Sequence, residues 1–396
     1  MAELARTRTL AASHSQAVNG DLDRFDMPLF WSLLFLIGLG LVMVASASID
    51  IADRRLGEPL YYLIRQSIFV GIGLSVAWAA LRLDLSFWQR SSASLLLFGF
   101  VLLILVPIIG REINGSVRWL HVGPFNVQPS ELFKLFMIIY LADYMERRSE
   151  EVTTTAAGFL KPMALLGLAA FLLLLEPDFG SAAVLGATVL GMLFLGGVRL
   201  RLFGLLVLVV AAVVAVLILS APYRMERLTA FMNPWADPFN SGFQLTQALI
   251  AIGQGEWLGA GLGGSIQKLF YLPEAHTDFL FAVMAEELGL VGSFVVIGVF
   301  SFAVWRIFCI GMRANEAGKL FQAYMSYGIG LWFGMQAFIN IGVNMGVLPT
   351  KGLTLPLMSY GGSSIVVMCL ALALVLRVDY ETRFPRQVKM REKSSW

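Results

Sequence analysis

Ten stretches of the chain, at 28–44, 60–81, 92–109, 129–145, 161–175, 181–197, 202–221, 279–310, 321–345 and 356–376, are apolar runs. Most are near the ~20 residues that carry a helix across hydrocarbon. In lipid every backbone polar group has to be bonded within the chain, so runs of this kind span as helices and pack side by side. The expectation is an all-α polytopic membrane protein of ten transmembrane helices. Residues 1–27 read as a flexible cytoplasmic tail carrying Arg6, Arg8 and Arg24, and 378–396 as a basic cytoplasmic tail. The segment 222–278, between helices 7 and 8, reads as a large extracytoplasmic loop. Ala45-Ser46-Ala47 resembles a signal-peptide cleavage site, but the run before it exceeds the ~7–15 residues of such a peptide's apolar region, so it is kept as a helix.

Composition agrees. With 58% hydrophobic and only 14% charged residues, and a mean hydropathy of +0.74, the chain lies outside soluble globular usage. A net charge of +2 gives a nucleic-acid partner no electrostatic support. Cys309 and Cys369 sit in separate apolar runs and read as buried packing residues rather than a disulfide or metal pair. Arg82, Arg90, Arg147, Arg148, Arg199, Arg201, Arg313, Lys319 and the C-terminal cations fall on the same side as the N-terminus, which makes that side cytoplasmic.

The chemistry-bearing residues gather on the other side. Arg118 and Trp119 lie in a loop at 111–128, and the helix after it opens with Pro129 and carries Glu131 and Lys134. At i, i+3 these two share a helix face; a structural ion pair and a role in placing a diphosphate are both open. The segment from Gly242 to Gly255 reads as an amphipathic helix on the membrane, with Gln244 and Gln247 on one face, serving as a packing lid or a substrate contact. Gly259, Gly261, Gly263 and Gly264 lack the Gly-Lys-Ser/Thr of a phosphate loop and read as a hinge. Pro273-Glu274-Ala275-His276-Thr277-Asp278 then leads into a long apolar run. Capping of that helix would explain Asp278 but not His276 or Glu286, an ionisable residue about 12 Å further along at ~1.5 Å per residue. A polar cavity serving both acids is the expectation. Pro356 and Gly361-Gly362 interrupt the last run near Ser359, where broken backbone lines a cavity, and Lys351 is placed against a phosphate or snorkels at a helix end.

The stretch from Asn344 to Ser364, the Pro-Glu-Ala-His-Thr-Asp-Phe cluster at 273–279, Gly253-Gln254-Gly255 and Gln128-Pro129-Ser130-Glu131 together resemble the SEDS family (shape, elongation, division and sporulation). The resemblance runs from about residue 28 to 377 and is closer to the division branch than to the elongation branch. It implies a ten-helix glycosyltransferase that polymerises lipid II into glycan strands on the outer face of the inner membrane, at the division septum. It also implies a class B penicillin-binding protein, the septal transpeptidase, as partner, with other division proteins tuning the pair. By the same resemblance Asp278 is the catalytic aspartate, while Trp119, Glu131, Lys134 and Lys351 match positions for structure or substrate binding.

The chemistry fits: a carboxylate within reach of an acceptor sugar hydroxyl can act as general base. Arg118, Lys134 and Lys351 are candidates to steady a diphosphate leaving group, with His276, Thr277 and Ser359 nearby in the two motifs. No dedicated metal motif is present, and a divalent cation (Mg or Mn) stays open. A lipid II flippase and a scaffold that only recruits the transpeptidase are the competing readings.

Overall fold

The computed structural model describes residues 25–384, apart from 114–115, 124, most positions between 200 and 230, 241, 270–271 and 350–351. Nine of the ten expected runs fall on long helices: α1 (Met27–Leu56), α2 (Tyr61–Arg82), α4 (Ser92–Ile109), α5 (Pro129–Arg147), α7 (Ala156–Leu175), α8 (Phe179–Leu195), α10 (Leu280–Glu316), α11 (Leu320–Asn344) and α12 (Gly362–Arg383). The tenth, 202–221, lies largely outside the described residues, as do most of 1–27 and the residues beyond 384. Six of the nine are long and apolar enough to cross a membrane by length and composition alone. The short helices α3 (Leu85–Arg90) and α6 (Ser149–Thr154) lie in turns, and α9 (Phe243–Gln254) packs on α10.

The bundle has an inside. Helices α5 and α12 are buried along most of their length, whereas α2 and α4 present Ile64, Leu97 and Ile108 outward to lipid. Helix α10 packs along α11, α12 along α2, and α5 between α4 and α11. At one end of the bundle Asp26, at the N-cap of α1, accepts from Arg306 and Arg313 of α10 and from Arg383 at the end of α12. That network ties the first helix to the last.

Three features differ from the sequence-based plan. The loop at 111–128 contains a small antiparallel sheet, β1 (Arg111–Ile113), β2 (Ser116–Val122) and β3 (Phe125–Val127), in the order β1-β2-β3. The last helix begins at Gly362 rather than 356, so 352–361 enters the bundle as non-helical chain with Leu353, Leu355, Leu357 and Met358 buried. It then runs on to Arg383, so 378–383, expected in the basic tail, is helical and largely buried.

Helix α10 breaks at Gly289, where φ is 68° and ψ −168°, a conformation open essentially only to glycine. The hydrogen bonds lost at the break are replaced from the loop before it. Ala260 and Gly261 N–H donate to the carbonyls of Glu286 and Glu287 at 2.9 and 3.0 Å, and Leu290 and Val291 N–H donate to Glu256 and Trp257 at 2.9 and 3.2 Å. Helices are tolerated when broken in a membrane only where the freed groups are satisfied in this way. A β-carbon at Gly289 would lie 2.4 Å from Gly259 N. Gly289→Ala should therefore lower the thermal unfolding midpoint in detergent, the backbone conformation alone costing ~1–3 kcal/mol; an unchanged midpoint would mean that the loop and α10 are not joined as described.

Candidate functional site

Asp278 sits in a turn, 272–279, that stands just before α10. The helix cap is Phe279, so Asp278 is not the capping residue its position suggests. The turn is held by its main chain. Thr277 and Phe279 N–H donate to the Glu274 carbonyl, with Glu274 in the left-handed region at φ 56°, and Tyr360 N–H donates to the His276 carbonyl at 3.0 Å. The Asp278 carbonyl accepts from the side-chain amides of Asn340 and Asn344 at 2.9 and 3.0 Å. Because its backbone is fixed by others, the Asp278 carboxylate is free for chemistry. It has no hydrogen-bond donor among the described residues, and a β-carbon at Gly352 would lie 3.0 Å from its Oδ2. A side chain at Gly352 would therefore press on the Asp278 carboxylate.

The two asparagines belong to a ladder. Gln336, Asn340 and Asn344 repeat at four-residue spacing on α11 and so share one face. Gln336 Nε2 donates to the Thr354 carbonyl at 3.1 Å, Asn340 Nδ2 to the Leu353 carbonyl at 2.6 Å, and Asn344 Oδ1 accepts from Ala282 N–H at 3.0 Å. One helix face thus holds the 352–354 chain, the Asp278 turn and the start of α10 in register. The polar period of four inside an apolar run was the signal that could have found Gln336 and Asn340 in the sequence.

A second wall comes from β2 and from the turn between α7 and α8. Arg118 Nε donates to the Glu176 carbonyl at 3.3 Å and Nη2 to the Pro177 carbonyl at 2.6 Å. Asp178 caps α8 by accepting from Ser181 N–H, and its Oδ2 accepts from Gln128 and Ser130. Trp119, next to Arg118 in the same strand, faces the opposite side of the small sheet. Burial, helped by the charges of Glu274 and Asp178, pushes the Asp278 carboxyl up to about 7 against the pull of Arg118.

Five of the expected site residues lie within the bundle or behind neighbouring segments. Glu131 and Lys134 form a 2.8 Å ion pair in the bundle interior, where Lys134 also donates to Gln336 Oε1 at 3.1 Å and lies 5.0 Å from the Trp332 ring centroid. Glu286 does not share a cavity with Asp278: it accepts from Ile266 N–H at 2.8 Å and from the Ser265 hydroxyl, and so pins the loop. Its neighbour Glu287 pairs with Lys268 at 2.8 Å and accepts from Ser46 of α1. The His276 ring is buried against Tyr62 and Tyr360, and burial pushes its pKa down, favouring the neutral imidazole. Ser359 is buried, its hydroxyl accepting from Leu355 N–H. Most of these polar groups have a close partner, although Glu131 Oε2 and His276 Nδ1 are buried with no hydrogen-bond partner among the described residues.

Thr277 is half-buried at the edge of the site, its hydroxyl donating to Glu274. Gln244 is exposed and Gln247 half-buried on α9. Lys351 lies outside the described residues. A cavity of about 530 Å³ opens beside the outer half of α10, lined by Ile252, Phe281, Ala285, Leu290, Phe294 and others; Asp278 does not line it and its walls are largely apolar. Among the described residues no group of three or more His, Cys, Asp or Glu is placed to hold a metal ion.

Residues 27–384 match the FtsW/RodA/SpoVE family, described as cell cycle proteins. A protein of Nitrosococcus halophilus named as a probable peptidoglycan glycosyltransferase FtsW is 59% identical over 376 residues, spanning 94% of this chain and 97% of its own length. Among solved structures, a chain from a peptidoglycan synthase complex, described as coordinating polymerization and crosslinking, is 30% identical with a TM-score of 0.74, over 90% of this chain and 98% of that one. The rod shape determining protein RodA of Thermus thermophilus is 28% identical with a TM-score of 0.68, over 90% and 97% of the two chains.

Proposed function

The chain belongs to the FtsW/RodA/SpoVE family of cell cycle proteins and is a multi-pass membrane glycosyltransferase of peptidoglycan synthesis, of the division type; from that premise we propose that Asp278 is the general base of its polymerisation step. The observation that carries this is the pairing of a rigidly held backbone with an unpartnered carboxylate. Two amides from α11 fix the Asp278 carbonyl, while its carboxyl, pushed up to about 7, is poised to take a proton near neutral pH.

In the reaction, the acceptor sugar hydroxyl of one lipid II unit or strand attacks the anomeric carbon of the donor. The hydroxyl proton passes to Asp278, the new glycosidic C–O bond forms, and the bond to the lipid-linked diphosphate breaks. Arg118, charged and adjacent to the site, offsets the developing diphosphate charge. The donor set described above does not fit a resident metal centre, and no step is assigned to one; a Mg or Mn ion would come bound to the diphosphate. The lipid tail stays in the bilayer while the sugars enter from the outer face, which is why a membrane bundle carries this site.

We assign it a class B penicillin-binding protein, a septal transpeptidase, as the crosslinking partner, together with other division proteins. We place it in the inner membrane at the septum, with the end of the bundle that carries Asp26 and Arg383 towards the cytoplasm. The test is polymerisation of labelled lipid II by the purified chain with that partner, read as long glycan strands on a gel. Strands are expected. Their absence, with lipid II crossing the bilayer of a proteoliposome instead, would replace this reading by a flippase.

A further inference from the structure

Glu176 is a buried acid that the reaction above leaves without a role. It follows the last residue of α7, is 1% exposed, and neither Oε1 nor Oε2 has a hydrogen-bond partner among the described residues. The turn that aims it inward is strained, with Pro177 at φ 29°. This turn borders the site: the Leu353 side chain lies over Gly180 just beyond it, and Gly352 lies against the Asp278 carboxylate. Arg118 stands beside Glu176, yet its guanidinium bonds to the Glu176 and Pro177 carbonyls and not to the carboxyl. A guanidinium next to an ionised carboxylate pairs with it, commonly through two parallel bonds. The arrangement seen is that of a neutral acid next to a cation.

We propose that Glu176 is a positioning residue of this site: as the neutral acid it leaves the charge of Arg118 to the anionic substrate, and when ionised it claims that charge for itself. The proposal rests on the reading of the Asp278 site given above. The charged groups that act on Glu176 are Asp178 in its own turn and Arg118 from β2. Burial and the Asp178 charge push its carboxyl up to about 8, with Arg118 pulling the other way. Below that pH Glu176 is protonated and Arg118 is available; above it the two pair. The same cation acts on Asp278, so the acids share it.

The test uses the full chain with its crosslinking partner and measures initial polymerisation rates against lipid II concentration from neutral to alkaline pH. For the wild type KM rises severalfold as pH passes about 8, while kcat, set by Asp278, does not follow. In Glu176→Gln, which cannot ionise, KM loses this rise. A KM that climbs in the variant as in the wild type overturns the proposal, and so does a folded variant that no longer polymerises. Should Gln disturb the turn, infrared spectra decide. In Asp278→Asn a protonated carboxyl band is expected that fades as pH passes about 8 and is missing from Asp278→Asn/Glu176→Gln. No such band at neutral pH overturns the proposal. Strand formation by Asp278→Asn would instead overturn the reading of Asp278, leaving that band in place.

Discussion

Asp278→Asn removes strand formation while leaving the protein folded and bound to its partner. The amide cannot accept the hydroxyl proton, and a general base contributes ~10²–10⁴-fold, so the rate should fall at least that far. The fold should survive because the bonds that hold this turn run through the Asp278 carbonyl, to Asn340 and Asn344, and not through its carboxylate. Strand assays beside a thermal unfolding curve separate the two effects. Wild-type strands from the variant would remove Asp278 from the chemistry. The wild-type pH profile carries the same signature from another side. A base works only when ionised, so kcat should climb as pH rises through about 7, and a flat profile there would argue for another group.

Lys134→Met acts in the opposite way, through stability. Lys134 and Glu131 are both almost completely buried, and removing the cation leaves a carboxylate without its counter-charge in the bundle interior. Breaking such a pair costs ~3–5 kcal/mol. The loss reaches the site, since Lys134 also donates to Gln336, whose amide holds the Thr354 carbonyl beside the Asp278 turn. The variant should melt at a much lower temperature in detergent and elute as aggregate. Glu131→Gln/Lys134→Met removes both charges and should regain most of that stability. A Lys134→Met protein that melts like the wild type but does not polymerise would instead place Lys134 against the substrate.

Much of this was legible in the residues, and the divide between what was and what was not follows the range of the forces involved. A run of about twenty apolar residues in lipid has one way to satisfy its backbone, within itself. Hence the sequence sufficed for the membrane class, for the presence of nine of the ten helices though not for the end of α1 or either end of α12, and for the turn that carries Asp278. It was also enough to see that Pro356 and Gly361-Gly362 interrupt the last span. The three-residue strands β1 and β3 were too short to show a period, so the sheet beside Arg118 was read as loop.

Side chains were another matter. Glu286, Lys134 and His276 looked alike in the sequence, as ionisable residues at the edge of apolar runs near a candidate base. Packing decided what each does. Glu286 is held by the Ser265 hydroxyl and the N–H groups of Ile266 and Gln267, Lys134 pairs with Glu131 and Gln336, and the His276 ring packs against Tyr62 and Tyr360. The fold also brings Arg118 to Glu176 from 58 residues away and leaves the Glu176 carboxyl without a hydrogen-bond partner among the described residues. The sequence by itself determined the helices and the acid in the turn, because a helix bonds within its own segment. Only the tertiary structure decided which partners each buried polar residue has, because a buried charge is governed by groups that the bundle brings together from distant parts of the chain.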